Sequence, residues 1–192
     1  MREKFTLLVL FSVLTGFAFS QKAETFTNAE YGFSMVPPKK SAPADTLGAI
    51  IGFEGDAKRY GPAAQSILSS VKRISMPMDE VEAYMKLPAT VRMFHNTLVS
   101  AMMDNFPDLS SIDRGFSEFD HRPTISGTFT FAADGEPMRG RYLIVLVKEQ
   151  RSLYTFTWSS REKHFKDWNA AAEASVRTFT FTPRQEPSRE DA

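Results

Sequence analysis

The sequence predicts a single α+β domain of the α/β class, in which an antiparallel β-sheet lies between helices on both of its faces. The main observation is the segment 142–147, which is apolar at every position. Such a strand is stable in water only when both faces of its sheet are covered. Apolar stripes at helical spacing over 89–106 and 165–176 predict the helices that cover it. Strand patterns linked by short turns on both sides of 142–147 indicate antiparallel pairing.

Length and composition agree with one domain and exclude several classes of function. The chain has 192 residues, 42% of them hydrophobic, which is enough to bury a substantial core. Lysine plus arginine and aspartate plus glutamate each count 23, so no net charge attracts nucleic acid. The sequence contains no cysteine, which excludes disulfides, a thiolate nucleophile and a cysteine-ligated metal.

The first twenty residues have the pattern of a secretory signal peptide. Two basic residues precede an apolar run over 5–19, and Ala18 and Ser20 are small residues at the positions that signal peptidase reads. The run is shorter than the roughly 20 apolar residues that a membrane-spanning helix needs. We therefore expect cleavage between Ser20 and Gln21. The mature protein is then exported, periplasmic or secreted, and has no stable membrane anchor.

Short strands are predicted for the first part of the domain. Alternating segments at 25–27 and 31–36 indicate two strands around a turn. Segment 37–45 is expected to be a loop, because its prolines remove ladder donors and restrict the residues before them. The next strands are expected at 48–53 and 66–74, paired as an antiparallel hairpin with a long connection.

The middle of the chain is predicted to be helical. Helices are expected over 79–87 and 89–106, with a kink or break at Pro88. The second helix has an apolar stripe formed by Val91, Phe94, Leu98 and Met102. Its methionines are interpreted as core residues, although such side chains also suit an adaptable groove for a ligand. These methionines are Met93, Met102 and Met103.

The clearest β pattern follows the helices. Apolar and hydroxyl-bearing residues alternate over 124–131, as one strand requires. Asp134 and Gly135 then suit a tight hairpin turn, which needs positive φ. The return strand is predicted over 138–147 and a third strand over 153–159, so that the three form a meander. The aromatic face of the third strand consists of Tyr154, Phe156 and Trp158.

A helix and a short strand are predicted at the end of the domain. Ser159 and Glu162 have the spacing of a capping box, so a helix is expected to begin there. A last strand is expected over 178–181. The domain is predicted to span 21–182, followed by a polar and disordered tail over 183–192. The apolar stripe of the helix consists of Phe165, Trp168, Ala172 and Val176.

Both ends of the predicted domain resemble a known family. The opening segment, Asn-Ala-Glu-Tyr-Gly-Phe-Ser-Met-Val-Pro at 28–37, and the closing strand, helix and strand at 153–157, 165–176 and 177–181 resemble the PsbP-like superfamily, as a bacterial exported member. The resemblance implies an antiparallel sheet between helices and a mostly noncatalytic role as an accessory subunit or binding module. The chain departs from the family pattern after Pro37, where the usual nearby tryptophan is missing. Contacts of individual members are therefore not carried over.

The three histidines do not predict a metal site. His95, His121 and His164 lie far apart in the sequence, and no two have the spacing of zinc ligands on a helix. His121 is the first to test, because Asp120 and Arg122 flank it at a strand boundary. We expect no metal and no cofactor.

Sequence patterns for catalysis are weak. Ser-x-x-Lys occurs at 69–72 and at 160–163, but about one such match is expected by chance, and its partner motifs Ser-Asp-Asn and Lys-Thr-Gly do not occur. The patterns of a nucleophile elbow, a phosphate loop, a dinucleotide site and a calcium loop are also missing from the sequence. We therefore predict no catalytic residues and a protein that is not an enzyme.

Two groups of charged residues are interpreted as solvated surface. The acidic group surrounds the helix-to-strand junction and would otherwise suit a hard cation. Two members of the basic group share a predicted strand face, and the third is expected opposite them across the hairpin; together they would otherwise suit an anionic or protein partner. The acidic group is Asp104, Asp108, Asp113, Glu118 and Asp120, and the basic group is Arg139, Arg141 and Arg122.

The functional hypothesis is an exported, noncatalytic domain that binds a protein partner or assists an envelope complex. The alternative is a carrier of a small apolar ligand, held between the methionine-bearing helix and the sheet. A third hypothesis is a cryptic hydrolase whose serine, histidine and aspartate groups meet only in space. The sequence does not identify the partner or the oligomeric state.

Overall fold

The computed structural model describes residues 24–45, 49–103, 106 and 108–181. The predicted signal peptide with its Ser20–Gln21 junction, and the predicted tail over 183–192, lie outside the described residues. The elements in chain order are β1 (Phe26–Asn28), β2 (Phe33–Met35), β3 (Ser41–Ala44), β4 (Ile51–Gly55), α1 (Ala57–Tyr60), β5 (Gln65–Arg73), α2 (Met78–Met85), α3 (Pro88–Met103), β6 (Ser110–Phe119), β7 (Arg122–Ala133), β8 (Glu136–Val147), a 3₁₀ turn (Lys148–Gln150), β9 (Ser152–Arg161), α4 (Glu162–Arg177) and β10 (Thr180–Phe181).

The strands of the described residues form two antiparallel sheets. The main sheet has seven strands in the order β3-β4-β5-β9-β8-β7-β6, and a second sheet has three strands in the order β1-β2-β10. The meander is confirmed and is one strand longer than predicted, because β6 precedes β7. The predicted pair of small strands and the predicted hairpin of β4 with β5 are also confirmed.

Strand β8 lies inside the main sheet and is buried on both faces. All six residues of 142–147 are at most 4% exposed. Tyr142, Ile144 and Leu146 belong to the core on the α2–α3 side of the sheet. Leu143, Val145 and Val147 belong to the core on the α4 side. The predicted arrangement, an antiparallel sheet between helices, is therefore confirmed.

The core on the α4 side is rich in aromatic side chains. Trp168 and Ala172 of the predicted stripe are completely buried and Val176 is 5% exposed. The small sheet completes this core, since Phe33 of β2 stacks on Phe179 with ring centroids 4.9 Å apart. Strand β10, which follows Phe179 and pairs antiparallel with β2, therefore joins the two ends of the domain.

Helices α2 and α3 cover the other face. The predicted stripe of α3 contacts this core, with Val91 buried and the other three members half-buried. Pro88 is the first residue of α3, a position where the missing N–H of proline removes no helical hydrogen bond. It therefore separates the two helices as predicted.

Two tight turns connect the meander. Asp134 and Gly135 have φ of 53° and 75°, as predicted for the β7–β8 hairpin. Asp120 and His121 have φ of 51° and 60° and form the equivalent turn between β6 and β7. Positive φ at both central residues gives a turn whose twist matches that of the strands.

Two local predictions are wrong. Segment 37–45, predicted as a loop, contains β3, in which Pro43 faces Phe53 of β4. This strand is at the edge of the sheet, where one side needs no N–H donor and proline is tolerated. The predicted capping box does not form, because Ser159 continues β9 opposite Gly140. Helix α4 begins at Glu162, and no side chain of the described residues caps it.

Candidate binding cleft

A cleft of about 410 Å³ lies between α4, the end of β2 and α1. Its lining comes from three separate parts of the chain, and it combines small apolar side chains with three charged ones. Small-molecule sites have volumes of roughly 300–1,000 Å³, so this cleft suits a small ligand or a few side chains of a partner.

The floor of the cleft is an alanine-rich face of α4. Ala170, Ala171 and Ala174 line it, and positions 170 and 174 lie one above the other on the helix. Alanine has no atoms beyond Cβ, so the cleft reaches close to the helix backbone. Val36 and Pro37 form the neighbouring wall.

Hydrogen bonds fix that wall to α4. The Ser175 hydroxyl donates to the Val36 carbonyl at 2.5 Å, and the Val36 N–H donates to the Thr178 hydroxyl at 2.8 Å. Both bonds join residues that are far apart in the sequence. The end of β2 is therefore held in place on the helix, and the cleft between them has a defined shape.

Helix α1 forms the third side and is anchored by Tyr60. The Tyr60 hydroxyl donates to the Lys39 carbonyl at 2.8 Å, and its ring centroid lies 5.0 Å from that of Trp168. Tyr60 is 1% exposed, so this anchor is part of the core. Asp56 caps the helix by accepting a hydrogen bond from the Lys58 N–H at 2.9 Å.

The charged residues of the lining leave the cleft with an excess of positive charge. Lys39 and Arg59 stand on two different walls, and Asp167 projects from α4. None of these three exposed side chains forms an ion pair with another residue in the described part of the chain. The Arg59 guanidinium lies 5.4 Å from the centroid of the Tyr60 ring. The cleft can therefore pair with an anionic group that has an apolar neighbour.

The lining offers little for acid–base or nucleophilic chemistry. Among the described residues that line it there is no histidine, and the hydroxyl of Ser175 is already used in a hydrogen bond to Val36. A serine nucleophile needs an adjacent base within hydrogen-bond distance.

The three histidines lie apart from one another, and none of them is among the residues that line the cleft. His95 is buried in α3, and its Nδ1 lies 2.9 Å from the Tyr142 hydroxyl. Burial, with a smaller effect of Arg114, lowers the pKa of His95, and burial raises the pKa of Tyr142 to about 12. His121 is exposed in the β6–β7 turn, and His164 packs against Gly61.

The predicted acidic group is dispersed. Asp108 accepts a hydrogen bond from the Ala132 N–H at 2.9 Å, and Asp120 pairs with Arg122 at 2.8 Å. Asp113 and Glu118 are exposed along β6, and Asp104 lies outside the described residues. Among the described residues, no three histidine or acidic side chains are arranged to hold a metal ion.

The basic group is only partly as predicted. Arg139 and Arg141 share the face of β8 that points to α4, where Arg141 pairs with Glu173 and Arg139 lies 5.3 Å from the Phe165 ring centroid. Arg122 is not opposite them, because residues 128 and 130 of β7 occupy those positions. The strand register therefore places Arg122 at the other end of β7.

The remaining sequence candidates do not form sites. Met102 is half-buried as predicted, but Met93 and Met103 are 57% and 44% exposed, so their interpretation as core residues is wrong. Neither of the two Ser-x-x-Lys matches lies within one helix, where the serine and the lysine would share a face. Segment 69–72 lies on β5, where the Ser69 hydroxyl already donates a hydrogen bond to the Thr155 carbonyl, and 160–163 runs from β9 into α4.

The cleft itself was not predicted from the sequence. Lys39 lies in a segment expected to be a loop, and Arg59 lies in the long connection between two strands. The signals that could have pointed to it are Asp56, which suits the N-cap of a short helix, and the alanines on the face of α4 away from its apolar stripe.

Comparisons with solved structures show a PsbP-like fold. Cyanobacterial PsbP (CyanoP) from Synechocystis has a TM-score of 0.54 at 13% identity, covering 82% of this chain and 91% of that one. LpqN of Mycobacterium tuberculosis, described as involved in cell envelope biogenesis, has a TM-score of 0.52 at 12% identity, with coverages of 83% and 90%. The Ran-binding protein Mog1p of Saccharomyces cerevisiae has a TM-score of 0.50 at 8% identity, with coverages of 82% and 94%.

These likenesses establish the fold, and the resemblance stated from the sequence is confirmed at that level. No family model matches the sequence, and no curated protein matches it either. Within the described residues, no helix is both long enough and apolar enough to cross a membrane.

Proposed function

We propose that this protein is an exported, noncatalytic binding domain whose cleft receives an acidic segment of a protein partner, as part of an envelope complex. The observation that carries the proposal is the pair Lys39 and Arg59, two cations without ion-pair partners among the described residues, above an apolar floor. A carboxylate placed between them gains charge-assisted hydrogen bonds, and its neighbouring apolar groups cover the alanines of α4.

Support for this class of function comes from the sequence and from proteins of the same fold. The signal-peptide pattern over 1–20 predicts export, and neither the sequence motifs nor the cleft lining supplies a catalytic group with its base. LpqN is described as involved in cell envelope biogenesis and Mog1p as Ran-binding. A shared fold does not transfer either role, so the charge pattern of the cleft carries the argument.

The hypothesis of an apolar-ligand carrier is less well supported, because the apolar side chains of α3 pack against the core. Phe94, Leu98 and Met102, which would line a groove between this helix and the sheet, pack against the core on that side. Native mass spectrometry of protein purified from its host tests the carrier directly. A bound lipid-like mass would favour it over the binding domain.

Lys39→Glu combined with Arg59→Glu tests the proposed function. We expect the purified protein to capture a partner from envelope extracts and the double variant to lose it, because two attractive charges become repulsive. Quantitative mass spectrometry of the captured proteins is the measurement.

Lys58→Glu is the matched control. Lys58 is exposed in the same helix as Arg59 but does not line the cleft. This variant is expected to retain the partner. Equal capture by the double variant, or equal loss with Lys58→Glu, would show that the cleft does not bind the partner.

A further inference from the structure

The two edges of the seven-stranded sheet differ in their capacity to pair with another strand. Strand β3 forms one edge, has four residues and contains Pro43, which cannot donate a hydrogen bond. Short edge strands and proline are devices that prevent pairing with another chain. This edge is therefore protected.

Strand β6 forms the other edge and is open. It has ten residues without proline, Ser110–Arg114 are exposed at every position, and Ser117 and Glu118 are exposed as well. In the described part of the chain, no further strand lies beyond β6. Every second residue of an edge strand directs its N–H and C=O outward, and these groups can pair with an extended strand.

The side chains of β6 show which strand fits. Beyond the irregularity at Ile112, Arg114, Phe116 and Glu118 pair with Gly127, Ile125 and Pro123 of β7 and so share one face. Neither Arg114 nor Glu118 has an ion-pair partner among the described residues. One charge lies two residues before Phe116 and the opposite charge two residues after it, so the strand is complementary to its own antiparallel copy.

We propose that β6 is a dimerisation edge, paired antiparallel with β6 of a second copy of this chain and with Phe116 on the two-fold axis. In this register Arg114 lies opposite Glu118 of the partner subunit, and the symmetry repeats the pair on the other side. Phe116 then meets Phe116 of the partner subunit, an aromatic cross-strand pair. A register with Arg114 or Glu118 on the axis would place like charges opposite each other, which is destabilising.

Charge exchange tests the pairing. Sedimentation velocity of the purified protein over a range of concentrations is expected to show a reversible dimer. Arg114→Glu or Glu118→Arg alone places like charges opposite each other twice and is expected to weaken self-association by on the order of tenfold or more. The double variant, with both charges exchanged, is expected to dimerise like the original protein.

Mixing the two single variants makes the test specific. Each single variant repels itself, but the pair restores two attractive contacts, so a heterodimer is expected only in the mixture. Glu54→Arg, at an exposed position of β4, which four strands separate from β6 in the main sheet, is the matched control and is expected to leave dimerisation unchanged. A monomer at all concentrations, or single variants that dimerise normally, would overturn the proposal.

A cross-linking experiment tests the register separately. The chain has no cysteine, so Phe116→Cys provides a single thiol on the proposed axis. Mild oxidation is expected to give a covalent dimer with this variant. In the proposed register the two copies of position 112 are about 26 Å apart, so Ile112→Cys is expected to remain uncross-linked. Cross-linking at 112 and not at 116 would contradict the register.

Discussion

Tyr142 organises the core on the α2–α3 side of the sheet at the scale of single residues. Its ring is completely buried, and its hydroxyl lies 2.9 Å from Nδ1 of His95. The ring also lies directly over Gly127 of β7, where a side chain would occupy the same space. A polar group buried this deeply needs its hydrogen-bond partner, so the three residues depend on one another.

Gly127→Ala is expected to destabilise the protein by about 1–3 kcal/mol, because a new Cβ would lie 2.6 Å from the ring and the hydroxyl of Tyr142. The ring is enclosed and cannot move aside without disturbing its neighbours. The free energy of unfolding in urea is the measurement. Gly115→Ala is the control, because no atom of the described residues lies within 4 Å of its added Cβ. Equal effects at the two positions would refute this account.

Stability is expected to fall as the pH is lowered from 7 to 5, with His95 as one cause. Burial lowers the pKa of His95 in the folded protein, whereas the unfolded chain binds the proton near the ordinary value of 6.5. Protonation therefore favours the unfolded state. The contribution of neutral His95 to stability is complete above pH 6.5 and is lost as the pH falls below that value. Arg114 and Asp113 are the charged groups that act on this histidine.

Urea unfolding at pH 7 and pH 5 checks this expectation. His95→Asn removes the titrating group and is expected to lose less stability between the two values than the original protein. His121→Asn, in an exposed turn, is the matched histidine control. Glu82 does not affect this comparison between pH 7 and pH 5. Hydrogen bonds from Lys148 and then Lys86 lower the pKa of Glu82 to about 2, so its contribution to stability is lost only between about pH 4.5 and pH 2. The same pH response in His95→Asn as in the original protein would contradict the role of His95.

Helix α4 has two apolar faces with different tasks at the scale of elements. One face, with Trp168 and Ala172, packs on the sheet and is completely buried. The other presents the alanines that form the floor of the cleft, and Ala174 there is exposed. Position in the helix, and not residue type, therefore decides what each alanine does.

Methionine substitution is expected to separate these two tasks. Ala172→Met overfills the core and is expected to cost about 1–3 kcal/mol of unfolding free energy. Ala174→Met is expected to change stability by less than about 0.5 kcal/mol, because the position is exposed, but to block capture of the partner by filling the cleft. Thermal unfolding and the capture assay give the two readouts. Full capture by Ala174→Met would mean that the partner does not enter the cleft.

The predicted signal peptide concerns the whole molecule, since it is expected to direct export of the protein. Cleavage between Ser20 and Gln21 is expected to give a mature chain beginning at Gln21. Intact-mass measurement of protein purified from its host checks this. Ala18→Arg places a large charged side chain at a position that signal peptidase reads, and it is expected to leave the segment attached. A full-length mass for the original protein would contradict the signal peptide.

Periodic features of the sequence predicted most of the domain. Three of these predictions are confirmed, because each depends on neighbours within a few residues: the alternation over 124–131, the Asp134–Gly135 turn and the apolar stripe of α4. The local capping-box signal at Ser159 failed for the opposite reason. Pairing of Ser159 with Gly140 of β8 extends the strand past the predicted start of the helix. A long-range ladder therefore overrode a local preference.

The sequence by itself determined the two-sided burial of 142–147, because an apolar strand must be covered on both faces. The PsbP-like architecture was indicated only by the resemblance of the two ends of the domain to that superfamily. Only the tertiary structure decided the cleft and the open edge. Lys39, Arg59 and Ala174 meet because β2 and α1 are anchored to α4 by contacts between distant residues. Among the described strands, the strand order likewise leaves β6 unpaired on one side. Such convergence depends on long-range packing, which no pattern of neighbouring residues encodes.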